Sequence, residues 1–513
     1  MLRIDNIKVH PSDKDKIKDK IAKRLKVSIN DINNFKIIKE SLDARANPIY
    51  VYSCIFNIKN HNKYLKYKDI STYQEYKYEY TKIDDNKVVN VVGFGPSGIF
   101  ATYLLAKSNV KVNVFERGSR IDKRVYDVNE FWNNEILNPE SNVQFGEGGA
   151  GTFSDGKLTT RVKDPRINII LDVLVENGAD PSIKYQANPH IGTDNLRIII
   201  KNIEDYLVKS GVNFYFDTKV DNLIIENNKV LGVSCSNNNY YSDDTILAIG
   251  HSSIDTILSL YDQNVYIEPK DFAIGVRVEH PQELINKNQY KEYYNEYALP
   301  TASYRLTHTT TNKVGVYSFC MCPGGFVVAS SSDKNTIVTN GMSYSNRDNH
   351  LANSAILVQI KNKDIAYGIN YQKNIEQRAF QISNSYKAPC MNIRDFINNE
   401  LNDLIFKSSY IPGTILYNMN NLFDDYINNA LKEAFLDYDH KIKGFIEQGI
   451  MIGVETRSSS TVRIKRNDNL ESISHHNLYP TGEGAGYAGG IISSCLDGIK
   501  ISECIINKYR KFT

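Results

Sequence analysis

The sequence lacks any apolar run approaching the roughly 18–20 residues that a membrane-spanning helix needs. It also lacks a basic N-terminal segment followed by an apolar one, so we expect neither a membrane span nor a secretory leader. Its seven cysteines are scattered rather than grouped into a dense framework, a usage typical of a reducing compartment. The net charge of +2 provides no global field to attract nucleic acid or an anionic membrane. These absences predict a cytoplasmic globular protein.

The composition does not indicate disorder. Hydrophobic residues make up 41% of the chain, and Ile, Leu, Val and Tyr recur throughout without a long biased tract. No repeat is apparent at periods of roughly 20–50 residues. A chain of 513 residues is too long for one ordinary core, so its length predicts about three domains.

Residues 1–86 have the pattern of a small α+β domain. A helix with Ile17, Ile21 and Leu25 on one face follows a first strand. The strand-like segments are residues 2–9, 35–39 and 49–58. The helix is rich in lysine, but interspersed aspartates indicate a solvated face rather than an RNA-binding one. Alternating tyrosines then lead to Asp84-Asp85-Asn86, where we place the domain boundary.

The strongest local pattern is an apolar strand that runs directly into G-x-G-x-x-G. Gly93 allows the tight turn from strand to helix, Gly95 lets the backbone approach a pyrophosphate, and Gly98 permits close packing of helix on strand. Pro96 and Ser97 lie in the same turn, at a helix N-terminus whose amides and partial positive charge can hold a diphosphate.

The context makes this motif informative, since a lone glycine-rich turn is weak evidence. The helix is followed by a second strand, residues 111–115, which ends at Glu116. This carboxylate is placed to accept hydrogen bonds from ribose hydroxyls and would repel a 2′-phosphate. The order of strand, motif, helix, strand and acid predicts a dinucleotide site.

The C-terminal part of the chain contains a second glycine-rich turn, at residues 478–491 (LYPTGEGAGYAGGI). A short strand precedes the turn, and an apolar helix begins near Gly489. The acid in the turn can bind ribitol hydroxyls, and the helix N-terminus can face a flavin pyrimidine, where negative charge develops on reduction. The predicted flavin-binding residues of this segment are Gly482, Glu483, Gly489, Gly490 and Ile491.

With these segments the chain resembles the uncharacterised FAD-dependent dehydrogenases within the glutathione-reductase-type flavoprotein superfamily. The matching segments are residues 93–98, 145–160 (FGEGGAGTFSDGKLTT), 319–325 (FCMCPGG), 340–343 (NGMS), 453–464 (GVETRSSSTVRI) and 479–491. The resemblance covers residue 87 to the C-terminus, and residues 41–53 suggest that it includes the N-terminal domain. It implies FAD and a redox reaction, but no particular substrate.

The superfamily pattern also implies roles for single residues. Val220 would contact the adenine, Gly250 would form the turn after a strand that returns to the dinucleotide, and Arg117 and Arg124 would flank the phosphates. One departure is that the chain shows no second Rossmann unit, in which strand, G-x-G-x-x-G, helix, strand and acid follow in order, so the NADPH domain of the disulfide reductases is predicted to be missing.

A glycine-rich loop at residues 146–157 is expected near the isoalloxazine ring. Residues 151–158 nearly match a P-loop, but Leu158 replaces the hydroxyl that would bind Mg²⁺ and no clear strand leads in, which argues against an NTPase. Lys157 or Arg161 would be available to an anion. The predicted cofactor contacts of this segment are Phe145, Gly146, Gly148 and Gly149.

Three residues are candidates for chemistry, namely Lys157, Cys320 and Arg457. Cys320 and Cys322 form a C-x-C on a strand, where same-face positions do not favour the sulfur approach of a disulfide, so two buried, inert thiols are the favoured interpretation. A reactive thiol here would show a lowered pKa. Arg457 could bind a substrate carboxylate, although a structural salt bridge explains it equally well. His475-His476 lacks further ligands at metal-site spacing, so no metal site is predicted.

The β-rich part of the chain is interpreted as a substrate domain with a helical insertion. Residues 272–279 and 314–330 have strand patterns, whereas residues 371–445 are mostly helical in pattern, with breaks near Pro389 and Pro412. An apolar stripe at helical spacing is interpreted as core and consists of Phe423, Tyr426, Ile427, Ala430 and Ala434.

The predicted fold class is α/β, with a Rossmann-type FAD-binding domain split in sequence. Its parts are residues 87–266 and 444–513, with the substrate domain at residues 267–443. The predicted function is an FAD-dependent oxidoreductase that transfers hydride between flavin N5 and a small-molecule substrate or electron donor, which the sequence does not identify. Two alternatives stay open, a flavin-dependent RNA-modifying or RNA-binding protein and an FAD-fold scaffold without turnover. Oligomeric state does not follow from the sequence.

Overall fold

The computed structural model describes residues 1–84 and 86–510, so Asp85 of the predicted boundary lies outside the described residues. The N-terminal elements are β1 (Leu2–Val9), α1 (Ile17–Leu25), β2 (Asn33–Asp43), β3 (Ile49–Asn57) and β4 (Ile70–Thr72). They form an antiparallel sheet in the order β2-β3-β1-β4. The predicted helix face is confirmed, since Ile17, Ile21 and Leu25 are buried against the sheet.

The alternating tyrosines after β4 form no strand. Instead, Tyr78 packs on the core of the following domain, where its hydroxyl donates a 2.9 Å hydrogen bond to Glu503 Oε1. Ile83 is buried in the same core. The alternating pattern of tyrosines therefore reflects which side chains face the nucleotide domain. Through these contacts the segment packs directly on that domain.

The first part of the nucleotide domain contains thirteen α-helices and β-strands. They are β5 (Val88–Val92), α2 (Pro96–Lys107), β6 (Lys111–Phe115), α3 (Ile121–Asn134), α4 (Ile167–Glu176), α5 (Thr193–Lys209), β7 (Asn213–Tyr215), β8 (Asn222–Glu226), β9 (Lys229–Cys235), β10 (Asn238–Tyr241), β11 (Asp244–Leu247), α6 (Ile254–Asp262) and β12 (Ile267–Pro269). Strands β8, β9 and β10 form a small antiparallel sheet of their own.

The second, β-rich part of the chain follows. Its elements are β13 (Phe272–Pro281), α7 (Gln282–Tyr290), β14 (Thr307–Thr309), β15 (Gly315–Cys322), β16 (Phe326–Ala329), β17 (Thr339–Met342), β18 (Leu351–Ile360), α8 (Ile365–Ser383), β19 (Ala388–Asn392), α9 (Ile393–Asn398), β20 (Thr414–Leu416), α10 (Asp425–Lys441) and β21 (Ile450–Glu455). The chain then returns to the nucleotide domain through β22 (Val462–Ile464), β23 (Leu478–Pro480) and α11 (Ile491–Arg510).

The nucleotide domain is built on a parallel sheet in the order β23-β11-β5-β6-β7. Four of the five residues of strand β5 are valines, as expected where helices cover both faces of a sheet, and the fifth, Asn90, is buried with its side chain donating to the Tyr240 carbonyl oxygen. The C-terminal strand β23 pairs with β11, and helix α11 packs on α2, so the domain is completed by the end of the described chain. The predicted fold class, a Rossmann-type domain split in sequence, is confirmed.

The β-rich part forms a seven-stranded sheet in the order β14-β15-β18-β13-β21-β19-β20. Its central strands, β13 and β18, are almost entirely buried. The predicted break near Pro389 in residues 371–445 is confirmed, since α8 ends at Ser383 and Pro389 lies in strand β19, which is buried beside β21, before α9 begins at Ile393. Pro412 lies in a loop. Tyr426 is exposed, unlike the other four residues of the predicted apolar stripe, which are buried.

Two features are absent from the residues that the structure describes. None of the helices there is long and apolar enough to cross a bilayer. No group of three or more His, Cys, Asp or Glu side chains within residues 1–84 and 86–510 could hold a metal ion. His475 is buried and contacts Ser474 Oγ, while His476 is exposed.

Candidate functional site

A cavity of about 1230 Å³ lies where the carboxyl ends of β5 and β11 meet the seven-stranded sheet. This is the edge at which open α/β sheets bind their ligands. Ordinary small-molecule pockets occupy roughly 300–1,000 Å³, so the cavity is large enough for an extended dinucleotide. Its walls come from the G-x-G-x-x-G turn, the loop after α3, the C-terminal glycine-rich turn and strand β15.

The G-x-G-x-x-G turn has the local geometry that its glycines predict. Gly93 has φ +97°, and a Cβ there would lie 2.3 Å from the Ala248 carbonyl oxygen. A Cβ on Gly98 would lie 2.0 Å from the Gly93 carbonyl oxygen, so this position brings helix and strand together. At Gly95 the nearest atom to a Cβ would be Gly149 Cα at 3.6 Å, which leaves room on the cavity side. Helix α2 begins there at Pro96, without a side-chain cap on its amides.

Glu116 connects this turn to the loop after α3. Its carboxylate accepts hydrogen bonds from the amides of Phe94 at 2.9 Å, Gly118 at 2.9 Å and Gly146 at 3.0 Å. The side chain also lines the cavity. Three of about four acceptor positions on the carboxylate are therefore used by the backbone. Its contact with a ribose hydroxyl stays a prediction, but its role in holding the two loops together is a property of the structure.

The two arginines predicted to flank the phosphates have other partners. Arg117 lines the cavity, but its guanidinium pairs with Glu140 at 2.8 Å and with Asp255 at 2.9 Å, so its charge is already balanced. Arg124 is fully buried and donates to the carbonyl oxygens of four residues in segment 142–147. It does not line the cavity, so its predicted phosphate contact is corrected to a role in holding the loop that does.

The loop after α3 contributes part of its predicted residues to the cavity. Phe145, Gly146 and Gly149 line it, whereas Gly148 does not. The Gly148 amide donates to the Phe94 carbonyl at 2.9 Å, and a Cβ there would lie 2.3 Å from Thr152 Oγ1, so this glycine serves packing. Two residues from other segments, Val220 and Gly250, also line the cavity, in agreement with their predicted positions.

The C-terminal turn is held by an aspartate that sequence reasoning missed. Asp497 Oδ2 accepts hydrogen bonds from Thr481 Oγ1 at 3.0 Å and from the Gly482 amide at 2.8 Å. Its other oxygen pairs with Arg466 Nη2 at 2.8 Å. Thr481 Oγ1 in turn lies 2.8 Å from Ser97 Oγ, which joins the two halves of the site. The available signal was an acid near the start of α11, where the neighbouring residues are small or apolar.

Helix α11 presents a second N-terminus to the same cavity. Gly489 and Gly490 are exposed and line the cavity with Ile491, the first residue of the helix. A Cβ on Gly489 would meet no atom within 4 Å. The partial positive charges of two helix N-termini, α2 and α11, therefore favour electron-rich groups at two places in one cavity. The glycines at both places leave the backbone open, so the residues present fit a dinucleotide with a flat ring system.

Glu483 lines the cavity close to His251, with 3.7 Å between its Oε1 and the His251 Nδ1. Burial raises the pKa of Glu483 from 4.5 to about 7 and lowers the pKa of His251 to about 4. Both shifts favour the neutral forms, so this contact is not an ion pair at neutral pH. A protonated carboxyl can donate to, as well as accept from, a ligand hydroxyl.

We expect Glu483→Gln to flatten the pH dependence of stability in FAD-free protein. A carboxyl whose pKa rises on folding binds its proton more tightly in the folded state, so stability falls as pH rises from about 4.5 to about 7. Relative to the variant, the wild type should lose on the order of 1–3 kcal/mol between pH 5 and pH 8 in urea unfolding. The exposed Glu226→Gln is the control. Parallel pH profiles for wild type and Glu483→Gln would contradict this assignment.

The candidates for chemistry lie around the part of the cavity next to β15. Lys157, Cys320 and Arg457 all line it. The Arg457 Nε and Nη2 donate to Glu376 at 2.6 and 2.9 Å, and Nη2 also contacts Asp333 at 3.2 Å. The structure thus gives Arg457 a salt bridge on helix α8. Lys157 Nζ lies 4.0 Å from Asp155, whose carboxylate is already paired with Arg347.

Comparison with known proteins gave matches over the whole chain. A family described as "FAD-dependent protein, C-terminal domain-like" matches residues 271–458, and a domain of unknown function matches residues 1–55. An uncharacterized protein of Clostridium beijerinckii (strain ATCC 51743 / NCIMB 8052) is 43% identical over 531 residues, covering 99% of each chain.

Solved structures with a similar fold are more distant. Glycine oxidase from Bacillus cereus ATCC 14579 is 12% identical, covers 82% of this chain and 98% of its own, and has a TM-score of 0.34. The glycerol-3-phosphate dehydrogenase from Bacillus halodurans complexed with FAD is 10% identical, covering 84% and 65% with a TM-score of 0.36. CtdE in complex with FAD is 11% identical, covering 83% and 92% with a TM-score of 0.33.

Proposed function

Because this chain belongs to a family of FAD-dependent proteins, we propose that it is an oxidoreductase that transfers hydride between a small-molecule substrate and its flavin. FAD is the cofactor, and the protein is a flavin-dependent enzyme. The observation that carries the proposed reaction is the single cavity onto which two helix N-termini open, with room beyond them for a second molecule beside β15.

The chain's own residues would hold the cofactor as follows. The open turn at Gly95 and the amides of α2 would bind the diphosphate, and Glu116 the adenosine ribose. Glu483 would bind the ribitol chain, and the N-terminus of α11 would lie at the pyrimidine. When bound, the flavin supplies the two-electron chemistry. The protein's part is to orient the substrate, exclude water and supply positive potential where charge develops.

The substrate compartment has a positive wall. Arg161 and Arg305 are exposed on the cavity surface and form no ion pair within the part of the chain that the structure describes. Lys157 lies on the same wall, while the charge of Arg347 is balanced by Asp155. These cations favour a substrate or electron donor that carries a carboxylate or phosphate. The cytoplasm, which the scattered cysteines favour, supplies many such anions.

The alternatives gain less support. In the lysine-rich helix α1, Arg24 pairs with Asp69 at 2.6 Å. Just before the helix begins, Lys16 pairs with Asp13 at 2.8 Å. Part of the positive charge of this segment is therefore neutralised within the N-terminal domain. A scaffold without turnover predicts a flavin that donors cannot reach. The open compartment beside β15 argues against that, since it connects the flavin-binding residues to exposed side chains.

The test is the visible spectrum of the purified protein, followed by anaerobic mixing with NADH, NADPH and a panel of small carboxylates and phosphate esters. We expect flavin bands that at least one anionic donor bleaches. In Arg161→Gln/Arg305→Gln, KM for that donor should rise by at least roughly 10-fold at similar kcat, because even one lost charge-assisted hydrogen bond costs about 1.5–3 kcal/mol. Reduction by dithionite but by no donor would favour the scaffold alternative. Co-purifying RNA with salt-dependent affinity would favour the RNA alternative.

A further inference from the structure

Strand β15 contains a bulge at its two cysteines. Its pairing with β18 is regular up to Phe319, opposite Ala355, and resumes at Cys322, opposite Asn353, so β15 has one extra residue. Cys320 adopts a left-handed conformation with φ +43° at this point. A bulge re-aims a side chain and bends its strand, and bulges are frequent next to active sites. The conformation is strained for a residue with a Cβ, so surrounding contacts must hold it.

The bulge changes the expectation of two buried, inert thiols. Alternate residues of a regular strand lie roughly 6.6 Å apart, near the upper end of the about 4.4–6.8 Å that a disulfide spans. The bulge interrupts that regular spacing, and the Cys322 Sγ donates a 3.2 Å hydrogen bond to the Cys320 carbonyl oxygen. Cys322 is fully buried. Cys320 instead lines the cavity.

Charges around the pair favour a thiolate at Cys320. The neighbouring Cys322 thiol lowers the pKa of the Cys320 thiol, and the positive charges of Lys157 and Arg277 act in the same direction, against the effects of burial and of the Asp155 carboxylate. The neighbouring Cys320 and burial raise the pKa of Cys322. Arg277 is fixed beside the bulge, since its Nη2 donates to the Cys320 carbonyl oxygen at 3.0 Å.

The pair also lies near the residues assigned to the flavin. Cys320 lines the same cavity as Glu483, the residue proposed to bind the ribitol chain, and as Glu455 on β21. One thiol on the cavity lining with a second, buried thiol beside it is the arrangement of an attacking and a resolving cysteine.

We propose that Cys320 and Cys322 are a redox pair that exchanges two electrons with the flavin. This inference rests on the proposed function, because it requires FAD in the same cavity. In the oxidising direction the Cys320 thiolate and the Cys322 thiol form one S–S bond and lose one proton and two electrons. Oxidised flavin accepts those two electrons and that proton, so charge and atoms balance. The reverse step regenerates thiolate and thiol, and a small dithiol is a donor class that could enter from the cavity.

The experiment counts electrons and thiols in the air-oxidised holoprotein. An anaerobic dithionite titration should take up about four electrons per bound FAD, two for the flavin and two for the disulfide. Alkylation under denaturing conditions, followed by peptide mass analysis, should label Cys320 and Cys322 only after reduction. Cys320→Ser and Cys322→Ser should each bind FAD but take up about two electrons. Cys504→Ser, a half-buried thiol on α11 outside the cavity lining, is the control and should behave as wild type.

Uptake of only two electrons by yellow wild-type protein, with both cysteines alkylated before reduction, would overturn the redox pair and leave the proposed function intact. A colourless protein that takes up no added FAD would overturn the proposed function itself. If neither serine variant folds, the thiol count on wild type still decides, because it needs no substitution.

Discussion

Gly95→Val should give a folded protein that binds FAD at least about 100-fold more weakly than wild type. The backbone at Gly95 has φ −83°, which any residue adopts, and a Cβ would be in ordinary contact with Gly149 Cα at 3.6 Å. The two methyl groups of valine would extend from it into the space where the diphosphate approaches, and overpacking there costs about 1–3 kcal/mol or more. The measurement is flavin absorbance after gel filtration, with fluorescence titration of added FAD for Kd.

Two control substitutions at other glycines show whether the loss of FAD affinity arises from the ligand site rather than from a less stable fold. Gly98→Ala should destabilise the protein itself, because its Cβ would lie 2.0 Å from the Gly93 carbonyl oxygen. Gly211→Asn, in an exposed left-handed turn with no atom within 4 Å of a Cβ, should change neither stability nor colour. A Gly95→Val protein with wild-type FAD affinity would show that this turn does not hold the diphosphate.

Arg457→Met should destabilise the protein by about 3–5 kcal/mol, the usual effect of removing one partner from a buried ion pair. Glu376, its two-point partner on α8, is fully buried, so the substitution leaves an uncompensated carboxylate between helix and sheet. Adding Glu376→Gln should recover much of that loss, since it removes the unpaired charge. Urea unfolding of the two single variants and the double variant gives the coupling free energy.

A substrate-binding role for Arg457 predicts a different result. In that case Arg457→Met would raise KM and leave the unfolding free energy within about 1 kcal/mol of wild type. Lys287→Met is the matched control, because it breaks an exposed i,i+4 pair with Glu283 and should leave the unfolding transition essentially where it is in the wild type. A single variant as stable as this control would contradict the structural assignment.

Features encoded in short contiguous segments could be predicted from the sequence. Gly93, Gly95 and Gly98 lie within six positions, and each has a steric task that the local chain alone defines. The same is true of the apolar strand before them and of the helix that begins after Gly490. The split of the FAD-binding domain was predicted, but the pairing of β23 with β11 was not, since nothing in the sequence of one parallel strand identifies its neighbour.

The contacts that could not be predicted join segments far apart in sequence. Arg124 has the residue type of a phosphate ligand, yet four backbone carbonyls of one loop satisfy its guanidinium. The Arg457 guanidinium likewise donates to a carboxylate on α8. The partner of a buried arginine is determined by tertiary packing, which the periodicity of the sequence does not predict. The helix break at Pro389 could be predicted from residue type, whereas the strand that fills the break, β19 beside β21, could not.

The bulge at Cys320 is a further example. The expectation of inert thiols assumed a regular strand, where residues 320 and 322 would share a face at full separation. One additional residue opposite β18 was enough to change which side chain reaches the cavity. A bulge of this kind is defined by the pairing between two strands. It can therefore be recognised only when the positions of both strands are known.

The pairing of β23 with β11 also has a consequence for biosynthesis. Strand β11 ends at Leu247 and its neighbour begins only at Leu478, so a ribosome working at roughly 5–20 residues per second exposes the unpaired edge of β11 for roughly 10–50 s. During that interval the nascent chain carries the diphosphate turn but neither Asp497 nor helix α11. Flavin capture must therefore follow translation of the last helix, and protection of that edge by chaperones would determine the yield of native enzyme.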